Sequence, residues 1–200
     1  KYQRGKQSVF QYLRMTSIVN PHATISLVVR DRDGEVYEQG SWKRTTDKLP
    51  RVVEEIKPHP HGIQLGTLQR MLRESEERKM TSFLRHNFSG VSMRAAKEIL
   101  SLAEINENRS PKRISTNDAN GMLNGFQNVK LLPPPTDCLS PIDDLLIKKG
   151  LSKAIDSRFA ATVTRNPTVS QGNPFQIEVG LVFGGDLTAD GPIEVLRFAN

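Results

Sequence analysis

The sequence predicts a multidomain chain that mixes α/β segments with an all-α segment. Three observations carry that expectation. Apolar residues recur with strand-like spacing near both ends and with helical spacing through the middle. Pro133-Pro134-Pro135 closes the helical middle, because proline lacks an N–H and restrains the residue before it. Charge follows the same division: residues 1–57 hold 11 Lys/Arg against 7 Asp/Glu, residues 58–130 again 11 against 7, and residues 131–200 hold 6 against 8.

Ser8 to Arg14 puts Val9, Tyr12 and Leu13 on one helical face, and Asn20-Pro21 separates this helix from the β-branched run Ala23 to Val29. Asp31-Arg32-Asp33-Gly34 reads as the turn into a second strand, Glu35 to Trp42. It lacks the later oxygen ligands and the closing Glu of a calcium loop, so a hairpin is expected, and a lone hairpin needs a larger sheet to be stable. Lys48 to Gly62 is a connector with Pro50, Pro58 and Pro60. His59 and His61 are spaced to chelate a metal, but Pro60 between them and no neighbouring Cys or Asp favour turn packing.

From Ile63 the period is helical. Leu65, Leu68, Met71 and Leu72 share a face, and Arg73 to Lys79 is a mixed-charge run expected on a solvated face or helix end. Met80, Phe83, Leu84 and Phe88 form a second stripe. Ser92 caps a third helix with Met93, Ala96, Ile99, Leu100 and Ala103 inward and Arg94 and Lys97 outward. Phe88 to Ser92 makes these two helices a hairpin, a shape that presents a turn and a helix start to phosphate or serves packing alone. Asn106 to Ser115 is a polar loop carrying Arg109, Lys112 and Arg113, and either Ser115 or Thr116 caps a fourth helix to about Val129. Gly121 and Gly125 cost that helix roughly 1 kcal/mol each, which close packing would offset.

After the prolines, Ser140 is expected as N-cap, Pro141 as first helical residue, Asp143 and Asp144 in the first turn, and Gly150 as the residue that ends the helix. Phe159 to Thr164 reads as a strand. Phe175, Ile177, Val179, Leu181 and Phe183 alternate with Gln176, Glu178, Gly180 and Val182 as one half-buried strand, and Ile193 to Phe198 starts another.

The basic front suggests a polyanion partner, with a merely solvated basic surface as the alternative. Cys138 is the one cysteine, so no intrachain disulfide forms, and its apolar neighbours point to a buried structural thiol. No 18-residue apolar run or signal peptide is present, which implies a soluble intracellular protein. A first residue of Lys1 and an apolar pattern running to Asn200 imply a piece of a longer protein. The sequence has no phosphate-binding glycine loop, nucleophile elbow or metal cluster, so no catalytic and no metal-ligating residue is assigned.

Four stretches in this order carry a family resemblance. They are Ile18-Val19-Asn20-Pro21-His22-Ala23, Lys57-Pro58-His59-Pro60 with Gly62, Pro134 to Ile142, and Ala160 to Arg165 leading to Gln171-Gly172-Asn173-Pro174-Phe175 and Phe183-Gly184-Gly185. From about Arg4 to Asn200 the chain resembles the B subunits of type IIB DNA topoisomerases, topoisomerase VI. The resemblance implies the tail of a GHKL ATPase domain over residues 1–57, a helix–two-turn–helix domain over 58–132, and the start of a transducer, similar to the second domain of ribosomal protein S5, over 133–200.

It further implies an ATP-dependent enzyme whose B subunits dimerise on ATP binding, close around double-stranded DNA, and pair with A subunits in an A2B2 heterotetramer. ATP and Mg²⁺ would be bound by residues outside this stretch, whose part is to couple clamp closure to strand passage. The compartment is the cytoplasm for an archaeal or bacterial source and the nucleus for a eukaryotic one. Arg94, Lys97, Lys112, Arg113 and Lys130 are the expected DNA contacts, drawn from the basic helical segment. The alternative is a non-catalytic adaptor of the same architecture, or a DNA- or protein-interaction module. Four residues depart from the family pattern: His61 stands for a tyrosine, Asp143 for a glycine, Ser170 for a tyrosine and Asn173 for a histidine. Asp143 is expected to be mild, because an acid suits a first helical turn.

Overall fold

The computed structural model describes residue 5, residues 7–187 and residues 191–199, so the ends of the resemblance at Arg4 and Asn200 lie outside the described residues. The elements run α1 (Val9–Val19), β1 (Ile25–Arg30), β2 (Val36–Trp42), α2 (Leu65–Glu74), α3 (Met80–Asn87), α4 (Met93–Leu102), α5 (Thr116–Asn128), α6 (Asp144–Ala154), β3 (Phe159–Thr164), β4 (Thr168–Ser170), β5 (Asn173–Phe175) and β6 (Glu178–Phe183). Single 3-10 turns stand at Pro60–Gly62 and Pro111–Arg113. Among the described residues no helix is long and apolar enough to cross a membrane. The chain divides into two compact units, one of Lys1–Arg51, Ser140–Asn166 and Ile177–Asn200, the other of Val52–Leu139 and Pro167–Gln176.

The first unit is layered. The antiparallel β1–β2 ribbon packs on α1, α1 on α6, and α6 on the antiparallel β3–β6 ribbon. Asp31 makes the β1–β2 turn, its carboxylate accepting from the Asp33 N–H at 3.0 Å and the Glu35 N–H at 2.9 Å. Ser8 is the N-cap of α1, and the helix continues to Val19, five residues beyond the expected Arg14. Ile18, Ile147 and Leu151 are its buried core. Distant contacts bind α1 and the segment after it to α6: Arg14 donates to the Ala154 carbonyl at 3.1 Å, and the Lys153 ammonium donates to that of Ala23 at 3.0 Å. Burial of Lys153 pushes its pKa below the ordinary value of 10.5.

Several expectations change here. Helix α6 starts later and runs further than the caps suggested. Asp143, not Ser140, is the N-cap, accepting from the Leu146 N–H at 3.1 Å, while the Ser140 hydroxyl donates to the Arg51 carbonyl at 2.9 Å. Gly150 lies inside the helix rather than at its end, because a Cβ there would run into the Ile18 carbonyl as α1 crosses α6. The long alternating strand is broken: β5 ends at Phe175 and β6 starts at Glu178. The buried side is also the other one. Gly180 admits α6, since a Cβ would sit 2.5 Å from Leu151 Cδ1, and Val182 packs against the same core. Val179, Leu181 and Phe183 are exposed, and so are their register partners Val163, Ala161 and Phe159 on β3. Ile193 to Phe198 has no strand pairing.

The second unit is the helical one. Leu68, Met80, Phe83, Leu84, Ala96, Ile99, Leu100, Met122 and Phe126 are all fully buried in a single cluster drawn from α2 to α5. Ser92 caps α4, accepting from the Ala95 N–H at 3.2 Å. Ser115 caps α5 in a reciprocal box with Asp118, which resolves the Ser115/Thr116 alternative. The inward face of α4 is shifted slightly: Ala95 is buried and Met93 is half exposed. Gly125 does serve close packing, since a Cβ would lie 3.1 Å from the Ile99 carbonyl oxygen. Pro133 to Pro135 lie in this unit, and Pro134 is buried. The β4–β5 hairpin, turning at Gln171 and Gly172, also belongs to this unit, although β3 and β6 on either side belong to the other.

Candidate nucleic-acid interface

All five expected basic residues are exposed, but they are not one cluster. Arg94 and Lys97 occupy the outer face of α4 one turn apart. Lys112 and Arg113 sit in the 3-10 turn that leads into α5. Lys130 follows the far end of α5, a 13-residue helix, and is therefore about 20 Å along the axis from that turn. Lys97 is partly occupied, with its ammonium 3.5 Å from the Glu107 carboxylate. Arg94, Lys112, Arg113 and Lys130 have no ion-pair partner among the described residues.

The turn that carries Lys112 and Arg113 is held from below. Arg109 bonds the Arg113 carbonyl at 2.7 Å and pairs with Asp118 at 3.0 Å. Asp118 also accepts from the Ser115 N–H at 2.9 Å and hydroxyl at 2.8 Å. The Ser115 N–H is the main reason that the Asp118 carboxyl titrates below its ordinary 3.8, so it is ionised and its charge is spent locally. A cleft of about 100 Å³ opens beside this turn, lined by Gln69, Leu72, Arg73, Pro111, Lys112, Ile114 and Thr116. Gln69 donates to the Thr116 hydroxyl across it at 3.0 Å. Arg73 is the basic residue that sequence reading passed over. Its charge is submerged in the mixed run 73–79, but it follows Arg70 by three positions on the polar side of α2, opposite Leu68 and Leu72.

The two histidines of the connector are structural. His59 is buried, donates from Nε2 to the Leu132 carbonyl at 3.0 Å, and accepts the His61 N–H at Nδ1 at 3.3 Å. Burial pushes its pKa below 6.5, and the nearby His61 ring, 4.7 Å between centroids, adds to that. The tip of the β4–β5 hairpin lies over this turn: a Cβ on Gly172 would be 2.9 Å from His59 Nδ1, and one on Gly62 would be 3.0 Å from the Gln171 carbonyl. The departures His61 and Asn173 therefore stand on the two sides of one contact, and His61 Nε2 is buried there without a hydrogen-bond partner. Cys138 is half-buried rather than buried, and lines a cleft of about 380 Å³ with His59, Gly172 and Pro174.

Asp143 is not the mild departure expected. Its φ of 82° lies in the left-handed region, which explains why a glycine suits this position. The aspartate holds its place by capping α6 and pairing with Lys48 at 3.0 Å. Burial raises its pKa, and the Leu146 N–H and Lys48 lower it by more, so the net direction is down. Glu178 pins the segment in front of it, accepting from the Ile142 N–H at 2.8 Å, the Asp143 N–H at 2.9 Å and the Thr164 hydroxyl at 2.8 Å. Among the described residues no three His, Cys, Asp or Glu side chains come together to hold a metal ion.

Comparison with known proteins finds one family over the C-terminal third and relatives along the whole chain. Residues 134–200 match the family described as the topoisomerase VI B subunit, transducer. The whole chain aligns with the B subunit of type 2 DNA topoisomerase 6 from Methanosarcina acetivorans at 46% identity and with that from Methanococcoides burtonii at 44%, covering 31% of each relative. The Archaeoglobus fulgidus protein of the same name is 43% identical over 98% of the chain and 31% of its own length. The chain thus spans about a third of the length of the curated relatives it matches.

Proposed function

From a chain that matches the topoisomerase VI B subunit family closely over its whole length, we propose a coupling segment of an ATP-dependent type II DNA topoisomerase. The observation that carries this reading is the end-to-end match at more than 40% identity to the B subunits above. Residues 1–57 are then the tail of a GHKL ATPase domain, 58–132 a helix–two-turn–helix domain and 133–200 the start of the transducer. The parent protein binds ATP and Mg²⁺ through residues outside this stretch, dimerises on ATP binding, and works with an A subunit that cuts the duplex. The part played here is mechanical: the segment links the state of the nucleotide site to DNA held by the basic helical unit.

Exposed and unpaired cations support the DNA-facing part of the reading, because phosphate contacts release counterions whatever the base sequence. Lys97 contributes least, as Glu107 already faces it. Arg94→Gln with Lys130→Gln is expected to lower duplex affinity uniformly across sequences and to reduce the log–log salt slope by about 2. An unchanged slope would remove the DNA contact from the reading. Decatenation by the complete protein with its A partner tests the rest. Loss of ATP dependence with DNA binding intact would favour the non-catalytic adaptor.

A further inference from the structure

We propose that the cleft between α2 and the turn before α5 is a phosphate seat, in which Arg73 and Lys112 share one phosphodiester of a duplex backbone. The inference rests on the helical unit facing DNA and gives that surface a defined contact. Two cations far apart in sequence, one from the last turn of α2 and one from the 3-10 turn, line the same opening. Neither has an ion-pair partner among the described residues. Two like charges facing one cleft are unfavourable until an anion joins them. Neither of the acids that flank the turn supplies it: the Asp118 carboxylate is taken by Arg109 and Ser115, and that of Glu107 faces Lys97.

The rest of the lining fits the same ligand. About 100 Å³ is room enough for one phosphate group. Gln69 donates one amide hydrogen to Thr116, which leaves its second N–H and the Thr116 hydroxyl as further donors. Leu72, Pro111 and Ile114 form an apolar floor that strengthens a charge-assisted bond above it. The planar guanidinium of Arg73 suits two phosphate oxygens at once, with the Lys112 ammonium as a point charge beside it. Such a seat would fix the position of the duplex without reading its sequence.

The shared seat makes a prediction that two independent surface cations do not. Each neutralised phosphate contributes about 0.9 to the salt slope. Arg73→Gln alone, Lys112→Gln alone and the double variant of the full chain are each expected to reduce the slope by about 1, since all three lose the same phosphate. A double variant that loses about 2 means two separate contacts and overturns the seat. So does no change in these variants while Arg94→Gln with Lys130→Gln still lowers the slope, a result that leaves the DNA reading standing. If none of the four cations matters, the DNA reading itself fails. Amide resonances of Lys112 to Thr116 provide a readout independent of DNA. They are expected to shift on titration with inorganic phosphate in the wild type and not in the double variant. Equal shifts with acetate would make the site a general anion contact and overturn the phosphate assignment.

Discussion

The helical unit and the layered unit are built from the same kinds of residues, and only one of them closes its core. In the helical unit Phe83, Phe126, Leu68, Met80 and Ile99 have no exposure at all. In the layered unit Ile18, Ile147 and Leu151 form a small buried cluster and Trp42 is buried beside Phe10, while Phe159, Val163, Val179, Leu181 and Phe183 lie open on one face of a ribbon. The difference shows where each unit takes its order from. The helices bury their apolar faces against one another over short sequence distances. The layers depend on α1 meeting α6 across more than 130 residues of chain and on individual polar clamps such as Glu178.

The largest expected break in this comparison is in the cores. Phe126→Ala should cost the helical unit about 3–5 kcal/mol, because a fully enclosed ring leaves a cavity that packed neighbours cannot fill. Leu151→Ala in the layered unit should cost about 2 kcal/mol, since its surroundings are partly open and can relax. Urea unfolding followed by hydrogen exchange at α4 and at α6 reads the two separately. Equal losses would mean that the cores are equivalent despite their difference in exposure.

A smaller effect sharpens the role of the clamp at α6. Asp143→Ala keeps the positive φ and removes the cap, so it should destabilise α6 by about 1–2 kcal/mol. Asp143→Gly removes the cap and the strain together, so it should be neutral or stabilising by up to about 1 kcal/mol. A glycine variant as unstable as the alanine variant would show that the Lys48 pair and the cap outweigh the backbone conformation.

The mildest test uses pH. His59 titrates below 6.5 in the folded chain, so as pH falls through 6.5 the unfolded chain takes up a proton first. The stability held by its two hydrogen bonds is complete above that pH and declines as pH drops toward and through the folded value. Thermal melts from about pH 7.5 to about pH 5 should show this loss in the helical unit, and His59→Asn should flatten it. A slope that is unchanged in the variant would place the titration elsewhere.

Much of the helical unit was legible in the sequence. Ser92 and Ser115 announce helix starts by capping chemistry, and the 3.6 period of Leu68, Leu72, Phe83, Ile99 and Phe126 identifies the inward faces. Arg94 and Lys97 were legible as outward-facing, because a charge on the polar side of an amphipathic helix has nowhere else to go. Arg73 was not legible as a partner of Lys112, since nothing in either local pattern refers to the other. Asp143 was misread for a related reason: its residue type suits a first helical turn, while its φ is set by how Glu178 and Lys48 hold the chain in front of α6.

Local chemistry therefore determined the helices of the middle segment, the caps of α4 and α5, the β1–β2 turn and the sign of the surface. Tertiary structure decided which face of β6 is covered, where α6 starts, why Gly150 lies inside it, and which two cations share a cleft. The physical reason is range. Capping and periodicity act over one or two turns and are written in adjacent residues, whereas the close approach of Ile18 to Gly150 or of α2 to the Pro111–Arg113 turn exists only after distant segments have packed.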